Sequence, residues 1–208
     1  MQITDVQKVN SRRYKVFVDD EYWYIIDVEV MVDCGVKIGL ECDEQKLADI
    51  KLTADTRRCK ERALYLLGYR DHSKNELIKK LERDYDSDLA RQTADKMQAL
   101  GFLDDKKYAY KLFNDLYNKK SMAGNKIKLE MLQKGLDRAL VDEIVDGQEL
   151  DPKEQIEKLV KSKYMRYLND EKGVQKVKNV LIRKGHRYSD IDEVIKGLLQ
   201  EEYYSQTT

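Results

Sequence analysis

Residue types that could support catalysis are few and scattered in this chain. The two histidines, His72 and His186, lie far apart and outside any HxxxH or HExxH spacing. The sequence contains no GxSxG, Walker A or GxGxxG motif. Asp104 and Asp105 are adjacent carboxylates, but a helix N-cap followed by an acid in the first turn accounts for such a pair. We therefore expect no enzyme, no metal and no cofactor, and surface or helix-end positions for both histidines.

Basic residues form a second group, and they recur at fixed spacing in two similar segments. Such a repeated basic edge could contact an acidic protein surface or the phosphates of DNA. The competing interpretation is a solvated helix face, which is common in a chain with 38% charged residues. The sequence leaves both interpretations open. The candidate partner-binding residues are Lys126, Lys128, Lys134, Lys176, Lys178, Arg183, Lys184 and Arg187.

A separate basic cluster lies upstream of these segments. Its members are expected to be residues of a helix surface, some of them paired with Asp55 and Glu61. They are Arg57, Arg58, Lys60 and Arg62.

The 14 tyrosines raise a third chemistry, because their rings can stack on the bases of single-stranded DNA. The strongest candidates are Tyr164 and Tyr167, which flank Arg166. Most tyrosines fit better as core or groove residues with a buried ring and a hydrated hydroxyl group. We expect packing rather than stacking even at Tyr164 and Tyr167.

Composition excludes several classes of protein. The 208 residues carry 39 basic and 39 acidic side chains, so any basic patch must be offset by acidic surface elsewhere. One proline and ten glycines favour long helices. No stretch reaches the roughly 18 apolar residues of a membrane span, and no signal peptide is visible. The cysteines Cys34, Cys42 and Cys59 lack metal-ligand spacing, which indicates reduced thiols in a cytoplasmic protein.

The first fifty residues differ in pattern from the rest. Residues 14–18 and 22–26 are rich in aromatic and β-branched side chains and flank an acidic turn, which predicts a β-hairpin. Residues 28–32 predict a short helix, and Gly35 and Gly39 mark turns. We therefore assign residues 1–52 to a small β-containing N-terminal module with a lead-in helix.

From residue 43 onward, apolar residues recur every three or four positions, as in amphipathic helices. Residues 126–135 align with residues 176–185 at an offset of 50, and the match continues downstream. The same offset reaches back to residues 77–81, although Asp84-Tyr85 replaces the later Lys-Gly pair. Each copy predicts three helices, and stacked copies predict an elongated curved rod that serves as a binding surface. The predicted repeats span residues 53–103, 104–150 and 151–208.

Capping residues mark the ends of these helices. Glycines after the second and third helix of each copy are candidates for left-handed C-caps. Ser73 and Glu76 have the spacing of a capping box, and Asp104 is the expected N-cap of the following helix.

Three motifs occur in order along residues 57–199: Ser73-x-x-Glu76-Leu77-x-x-Lys80-Leu81, then Leu100-Gly101-Phe102-Leu103-Asp104-Asp105-x-x-Tyr108-Ala109, then Ile127-x-x-Glu130-Met131-x-x-Lys134-Gly135-Leu136. In order and spacing they resemble the RecX family, bacterial modulators of the RecA recombinase. The positions that the resemblance marks as structural are Ser73, Glu76, Leu77, Leu81, Gly101, Leu103, Asp104, Asp105, Ala109, Gly135 and Gly185.

The resemblance implies three tandem three-helix repeats and a non-enzymatic regulator of DNA repair. Such a protein binds the RecA–DNA filament in its groove and inhibits or destabilises it. Recombination, ATP hydrolysis and LexA cleavage in the SOS response are thereby restrained. The expected partner is the RecA filament, with a weak direct DNA contact left open. We expect a monomer that binds neither a membrane nor a small-molecule substrate. The alternatives are a direct DNA-binding helical-repeat protein, since three-helix units resemble helix-turn-helix domains, and a plain helical scaffold.

Overall fold

A computed structural model of the chain describes residues 1–206. Three strands come first: β1 (Ile3–Lys8), β2 (Arg13–Val18) and β3 (Glu21–Asp27). The helices are α1 (Val28–Asp33), α2 (Glu44–Tyr69), α3 (Lys74–Leu81), α4 (Ser87–Ala99), α5 (Asp105–Asn114), α6 (Gly124–Gln133), α7 (Arg138–Asp146), α8 (Pro152–Leu159), α9 (Glu171–Arg183) and α10 (Tyr188–Gln206). The predicted mainly α class with a small N-terminal β module is confirmed. The last two positions of the predicted third repeat, 207 and 208, lie outside the described residues.

The predicted hairpin is confirmed, and a third strand completes an antiparallel sheet in the order β1-β2-β3. Asp19 and Asp20 both have positive φ, as the two central residues of a type I′ hairpin turn require. β1 braces this turn: the Gln2 N–H donates to Asp19 Oδ1 at 2.8 Å, and the Asp20 N–H donates to Thr4 Oγ1 at 2.9 Å. β1 escapes sequence analysis because most of its residues are polar or only partly buried.

The long helix α2 serves two hydrophobic cores. Its first half supplies Leu47, Ile50 and Ala54 to a core that includes the sheet residues Ile3 and Ile26. Its second half faces a different core, described below. The predicted boundary between residues 52 and 53 therefore lies inside one continuous helix of 26 residues.

Polar contacts fix the sheet on α2. The Arg58 guanidinium donates to Asp27 Oδ2 at 2.9 Å and to the Ile25 carbonyl oxygen. The Tyr24 hydroxyl donates to Asp55 Oδ1 at 2.5 Å. Burial, together with this bond to the carboxylate, raises the pKa of Tyr24 to about 12. Because the Asp27 side chain is only 8% exposed, its two arginine partners are needed to offset its desolvation.

Each three-helix group has its own core. In the first group, Cys59 and Ala63 of α2 pack with Leu77 and Leu81 of α3 and with α4. The second core joins α5, α6 and α7, and the third joins α8, α9 and α10. By contacts between residues, the chain divides into two compact units. One unit holds residues 1–71 and 77–103, and the other holds residues 72–76 and 104–208.

The first helix of the second and third groups ends in an irregular turn. A five-residue π-helical turn follows α5 at Asp115–Lys119, and another follows α8 at Val160–Tyr164. A 3₁₀ turn at Met165–Tyr167 completes the latter. These wider turns set the position of the lysines at and just beyond the helix ends, which the 50-residue alignment does not capture.

Several local expectations need correction. Gly101, Gly135 and Gly185 have the predicted positive φ, but Gly147 has a right-handed φ of −73°. Gly197 lies inside α10, which continues well past the expected end near residue 199. Both histidines lie next to helix ends, which is one of the two expected positions, but they are buried rather than on the surface, with 3% and 4% of the residue exposed. The cysteines agree with the expected reduced thiols, since Cys34, Cys42 and Cys59 are all free, and Cys42 and Cys59 are buried.

We predict that Asp27→Ala destabilises the N-terminal module by about 3 kcal/mol, because it leaves the half-buried Arg58 charge without a carboxylate. Urea unfolding followed by the fluorescence of Trp23 measures the loss. Asp33→Ala, which removes an exposed carboxylate without a described partner, is the matched control and is expected to change stability by less than about 0.5 kcal/mol. Equal stability of the two variants would contradict this role of Asp27.

Candidate partner-binding surface

Two of the predicted partner-binding lysines are used inside their own helix groups. Lys128 Nζ lies 2.7 Å from both Asp142 Oδ1 and Asp146 Oδ2 of α7. Lys178 Nζ lies 2.5 Å from Asp192 Oδ1 of α10. Hydrogen bonds to these carboxylates raise the pKa of both lysines. The two pairs occupy equivalent positions at the 50-residue offset and connect the second helix to the third.

Two further lysines of the predicted set are also engaged. Lys126 forms an ion pair with Glu130 one turn along α6, at 3.3 Å. Lys184 follows α9, and its ammonium group donates to the Lys120 carbonyl oxygen at the end of the π turn after α5. Its backbone carbonyl accepts the Ala123 N–H at 3.0 Å.

The remaining four residues form no ion pair with any described residue. Lys134 is half-buried, whereas Lys176, Arg183 and Arg187 are exposed. Lys176 and Arg183 are seven residues apart on α9 and therefore lie on one face of that helix, and Arg187 follows its C-terminus. We call these three exposed residues the α9 edge. Of the eight predicted contact residues, the three of the α9 edge are thus exposed and have no ion pair among the described residues, while partner binding by any of the eight stays a prediction.

Sequence analysis missed a second group of basic residues, Lys120 and Lys163, which lie near Lys184. Burial lowers the pKa of Lys184, and the positive charges of Lys163 and Lys120 lower it further. Lys163 also lines a cleft of about 270 Å³ with Asn118, Ser121 and other residues. We call Lys120, Lys163 and Lys184 the seam lysines. Lys120 and Lys163 share one signal in sequence, a lysine at or just after the end of the first helix of a group, whereas Lys184 follows the second helix of the third group.

The two repeated Lys-Gly pairs have a structural role that their sequence does not reveal. The Lys134 carbonyl accepts a hydrogen bond of 2.5 Å from Ser73 Oγ, and the Gly135 carbonyl accepts one of 3.0 Å from Asn75 Nδ2. An added Cβ at Gly135 would lie 2.9 Å from Ser73 Oγ. Gly135 therefore seats directly on the first turn of α3, within the segment 72–76 that belongs to the second unit.

Gly185 repeats this arrangement on the first turn of α6. An added Cβ there would lie 2.6 Å from Lys126 Cβ, and φ is +92°. The next residue, His186, contacts the Ser121 carbonyl oxygen through Nε2 at 3.0 Å, while its buried Nδ1 has no hydrogen-bond partner. The first three-helix group has no preceding group on which to seat such a glycine. This explains why the first group has Asp84 and Tyr85 where the later groups have the Lys-Gly pair.

The remaining motif residues cap helices or fill the cores. Ser73 Oγ accepts the Glu76 N–H at 3.1 Å, and Asp104 accepts the Lys107 N–H at 2.9 Å, as the capping motifs predict. Asp105 accepts the Lys74 N–H at 2.8 Å, and its pKa is raised by burial. The side chains of Leu77, Leu81, Leu103 and Ala109 are buried. The Asp104-Asp105 pair therefore caps two helices, in agreement with the structural interpretation of these carboxylates.

The tyrosines beside Arg166 divide between the two interpretations. Tyr164 packs against the third core. Tyr167 is 46% exposed, and the Arg166 guanidinium lies 4.9 Å from the centre of its ring.

Among the described residues, no helix is long and apolar enough to cross a membrane.

The fold defines a helical-repeat protein of three-helix groups preceded by a small sheet. The family model for the first three-helix domain of RecX matches residues 59–97. Regulatory protein RecX of Clostridium botulinum is 29% identical over 206 residues, covering 96% of each chain. Regulatory protein RecX of Clostridioides difficile is 29% identical over 203 residues, covering 95% of each chain. Along nearly its whole length the chain is similar to proteins named regulatory protein RecX, in agreement with the resemblance of its motifs.

Two solved structures share this fold. RecX from Lactobacillus salivarius aligns with a TM-score of 0.56 and 26% identity, over 69% of this chain and 96% of that one. A second crystal structure, of a regulatory protein RecX, aligns with a TM-score of 0.59 over 93% of this chain and 98% of that one. At 23% identity, the second match shows the shared fold alone.

We predict that Gly185→Ala destabilises the second unit by about 2 kcal/mol, because its methyl group meets Lys126 and its φ is left-handed. Gly68→Ala is the matched control, since Gly68 is helical and has open space around it. The control is expected to stabilise the protein by about 0.5 kcal/mol. Thermal unfolding of both variants, followed by circular dichroism, is the measurement. Equal stability of the two variants would contradict the requirement for a glycine at position 185.

We predict that the buried His186 makes the second unit less stable in acid. Burial lowers the pKa of His186 below its ordinary value of about 6.5, so the unfolded chain binds the proton first as the pH falls. The stability contributed by the neutral ring is complete above about pH 6.5 and declines as the pH falls toward the folded-state pKa. Urea unfolding at pH 7.5 and 5.5 should show a smaller difference for His186→Gln than for wild type. The same difference in both proteins would exclude His186 as the cause.

Proposed function

We propose that this chain is a non-enzymatic regulator of RecA that binds the RecA–DNA filament and inhibits or destabilises it. The observation that carries the proposal is the relationship, along nearly the whole chain, to proteins named regulatory protein RecX. The distribution of available charge supports it, because the exposed cations of the α9 edge lie on the second helix of a repeated unit. A filament of RecA subunits would offer a repeating partner to such a surface.

The proposed mechanism is steric. A protein built from packed helix groups contacts more than one filament subunit, so that modest contacts add through effective concentration. Occupation of the filament groove then competes with the second DNA molecule and with the LexA repressor. Recombination, ATP hydrolysis and LexA cleavage would be restrained together, without any chemical step on this chain.

Charge complementarity assigns the contacts in this proposal. The α9 edge faces acidic RecA surface or DNA phosphate, and the seam lysines offer a second basic contact in the same unit. Lys128 and Lys178 contribute to the stability of the helix groups rather than to the contact, because their ammonium groups are already paired.

We predict that reversing the charge of the α9 edge weakens inhibition of RecA. The assay is ATP hydrolysis by RecA on single-stranded DNA, titrated with wild-type chain and with the triple variant Lys176→Glu, Arg183→Glu and Arg187→Glu. The variant is expected to need at least tenfold more protein for half-inhibition, because three favourable contacts become repulsive. Raising the salt concentration should reduce the difference between the half-inhibitory concentrations of the variant and the wild-type chain.

A matched variant controls for the change in net charge. Lys37, Lys79 and Lys96 are exposed lysines of the first unit without a described ion pair, and their reversal to Glu changes the total charge by the same amount. This control is expected to inhibit within twofold of wild type. If the α9-edge variant inhibited RecA at the same concentrations as the wild-type chain, the α9 edge would not be part of the contact with the filament. Failure of the wild-type chain to affect RecA at any ratio would refute the proposed function.

A further inference from the structure

The unit that contains the β-sheet carries an aromatic and basic surface that the proposed function does not use. Arg58, Arg62, Tyr65 and Tyr69 follow one another on α2 at spacings of four, three and four residues. This spacing places all four on a single face of the helix. We call these residues the α2 stripe.

The sheet holds the arginine end of the stripe in place. Arg58 is anchored by Asp27 and the Ile25 carbonyl, and Arg13 of β2 approaches the same carboxylate at 3.4 Å. Arg62 has no carboxylate partner among the described residues, and its guanidinium lies 5.6 Å from the centre of the Tyr65 ring. A cleft of about 390 Å³ runs between these groups, lined also by Ile25, Glu61 and Tyr85.

The charge of this cleft favours an anion. Three arginines line the cleft, Arg13, Arg58 and Arg62, and the carboxylates of Asp27 and Glu61 together offset two of their three charges. One positive charge is therefore in excess. A guanidinium fork is suited to binding phosphate oxygens, and its planar face stacks on aromatic rings.

The tyrosines extend the surface beyond a single anion site. Tyr65 is 68% exposed and Tyr69 is 84% exposed, so both rings are open to a ligand. They lie one helical turn apart, about 6 Å along the axis. A phosphorylated peptide would use the arginines but would leave the second ring without a role. Two rings in line with cations match a strand of unpaired bases, because each base has a face that stacks and each nucleotide carries a phosphate.

We propose that the α2 stripe, together with Arg13, binds single-stranded nucleic acid. The arginines contact phosphates, and Tyr65 and Tyr69 stack on neighbouring bases. This site lies in the first unit and needs no RecA. The α9 edge and the seam lysines consist of residues of the other unit.

The test measures binding of the full chain to a fluorescently labelled oligothymidylate of 20 nucleotides by anisotropy, over a range of salt concentrations. The double variant Tyr65→Ala, Tyr69→Ala is expected to bind at least tenfold more weakly with the same salt slope, since stacking is lost and charge is kept. Arg62→Ala is expected to lower the salt slope by about 0.7, the value for one phosphate contact on a single strand. These two distinct signatures separate stacking from charge.

Two controls match these variants. Tyr110→Ala removes another exposed tyrosine, and Lys96→Ala removes another exposed cation without a described ion pair. Both are expected to bind within twofold of wild type, and circular dichroism of each variant checks that the fold is kept. Wild-type affinity in the double tyrosine variant, or no binding by the wild-type chain, would overturn the proposal.

An acidic-peptide competitor tests the nature of the ligand. A polyglutamate peptide of equal charge should displace the oligonucleotide only at much higher concentration, because it offers no bases to stack. Equal competition by the two would assign the stripe to an acidic protein instead and overturn the nucleic-acid site. No step of this test contains RecA, so its failure leaves the proposed regulation of RecA intact.

Discussion

The second unit of this protein depends on the close packing of two glycines, Gly135 and Gly185, against the first turn of a neighbouring helix. At Gly135 and again at Gly185, the end of one helix lies against the first turn of another, and no Cβ fits between them. The carbonyl before each glycine accepts a hydrogen bond from a different donor, the Ser73 hydroxyl in one case and the Ala123 backbone N–H in the other. The geometry is kept while the chemistry of the donor changes. The recurrence of the Lys-Gly pair in the sequence therefore has a packing cause that is independent of the lysine charge.

Many of the charged side chains discussed above are paired within the protein. The chain has equal numbers of acidic and basic side chains, and many of them pair within a helix or between neighbouring helices. Pairs such as Lys128 with Asp142 and Lys178 with Asp192 hold the second helix to the third. What remains for a partner is confined to a few places, the α9 edge, the seam lysines and the α2 stripe. A protein of zero net charge can in this way present local positive surface without coating DNA by bulk charge.

Most of the fold could be predicted from the sequence, because helix periodicity, capping residues and the 50-residue repeat are visible in the sequence itself. The hairpin, the short helix after it and the left-handed glycines at positions 101, 135 and 185 were all predictable. Strand β1 was not, since its polar residues act mainly by bracing a turn. The burial of His72 and His186 was also missed, because it depends on contacts between segments far apart in sequence.

The candidate surface was harder to predict than the fold. A basic residue on a helix looks the same in sequence whether it pairs with a carboxylate on the next helix or faces solvent. The structure resolves this for Lys128 and Lys178, whose partners are 14 residues away, and leaves Lys176 and Arg183 exposed. Two of the seam lysines, Lys120 and Lys163, lie in or next to the π turns that end the first helices, and such turns have no periodic signature in sequence.

The most direct test of the central claim is electron cryomicroscopy of RecA filaments on single-stranded DNA incubated with this chain. The account predicts density for the helix groups in the filament groove, in contact with more than one RecA subunit and with α9 turned toward the filament. Bare filaments at saturating concentrations of the chain, or density with α9 turned toward solvent, would contradict it.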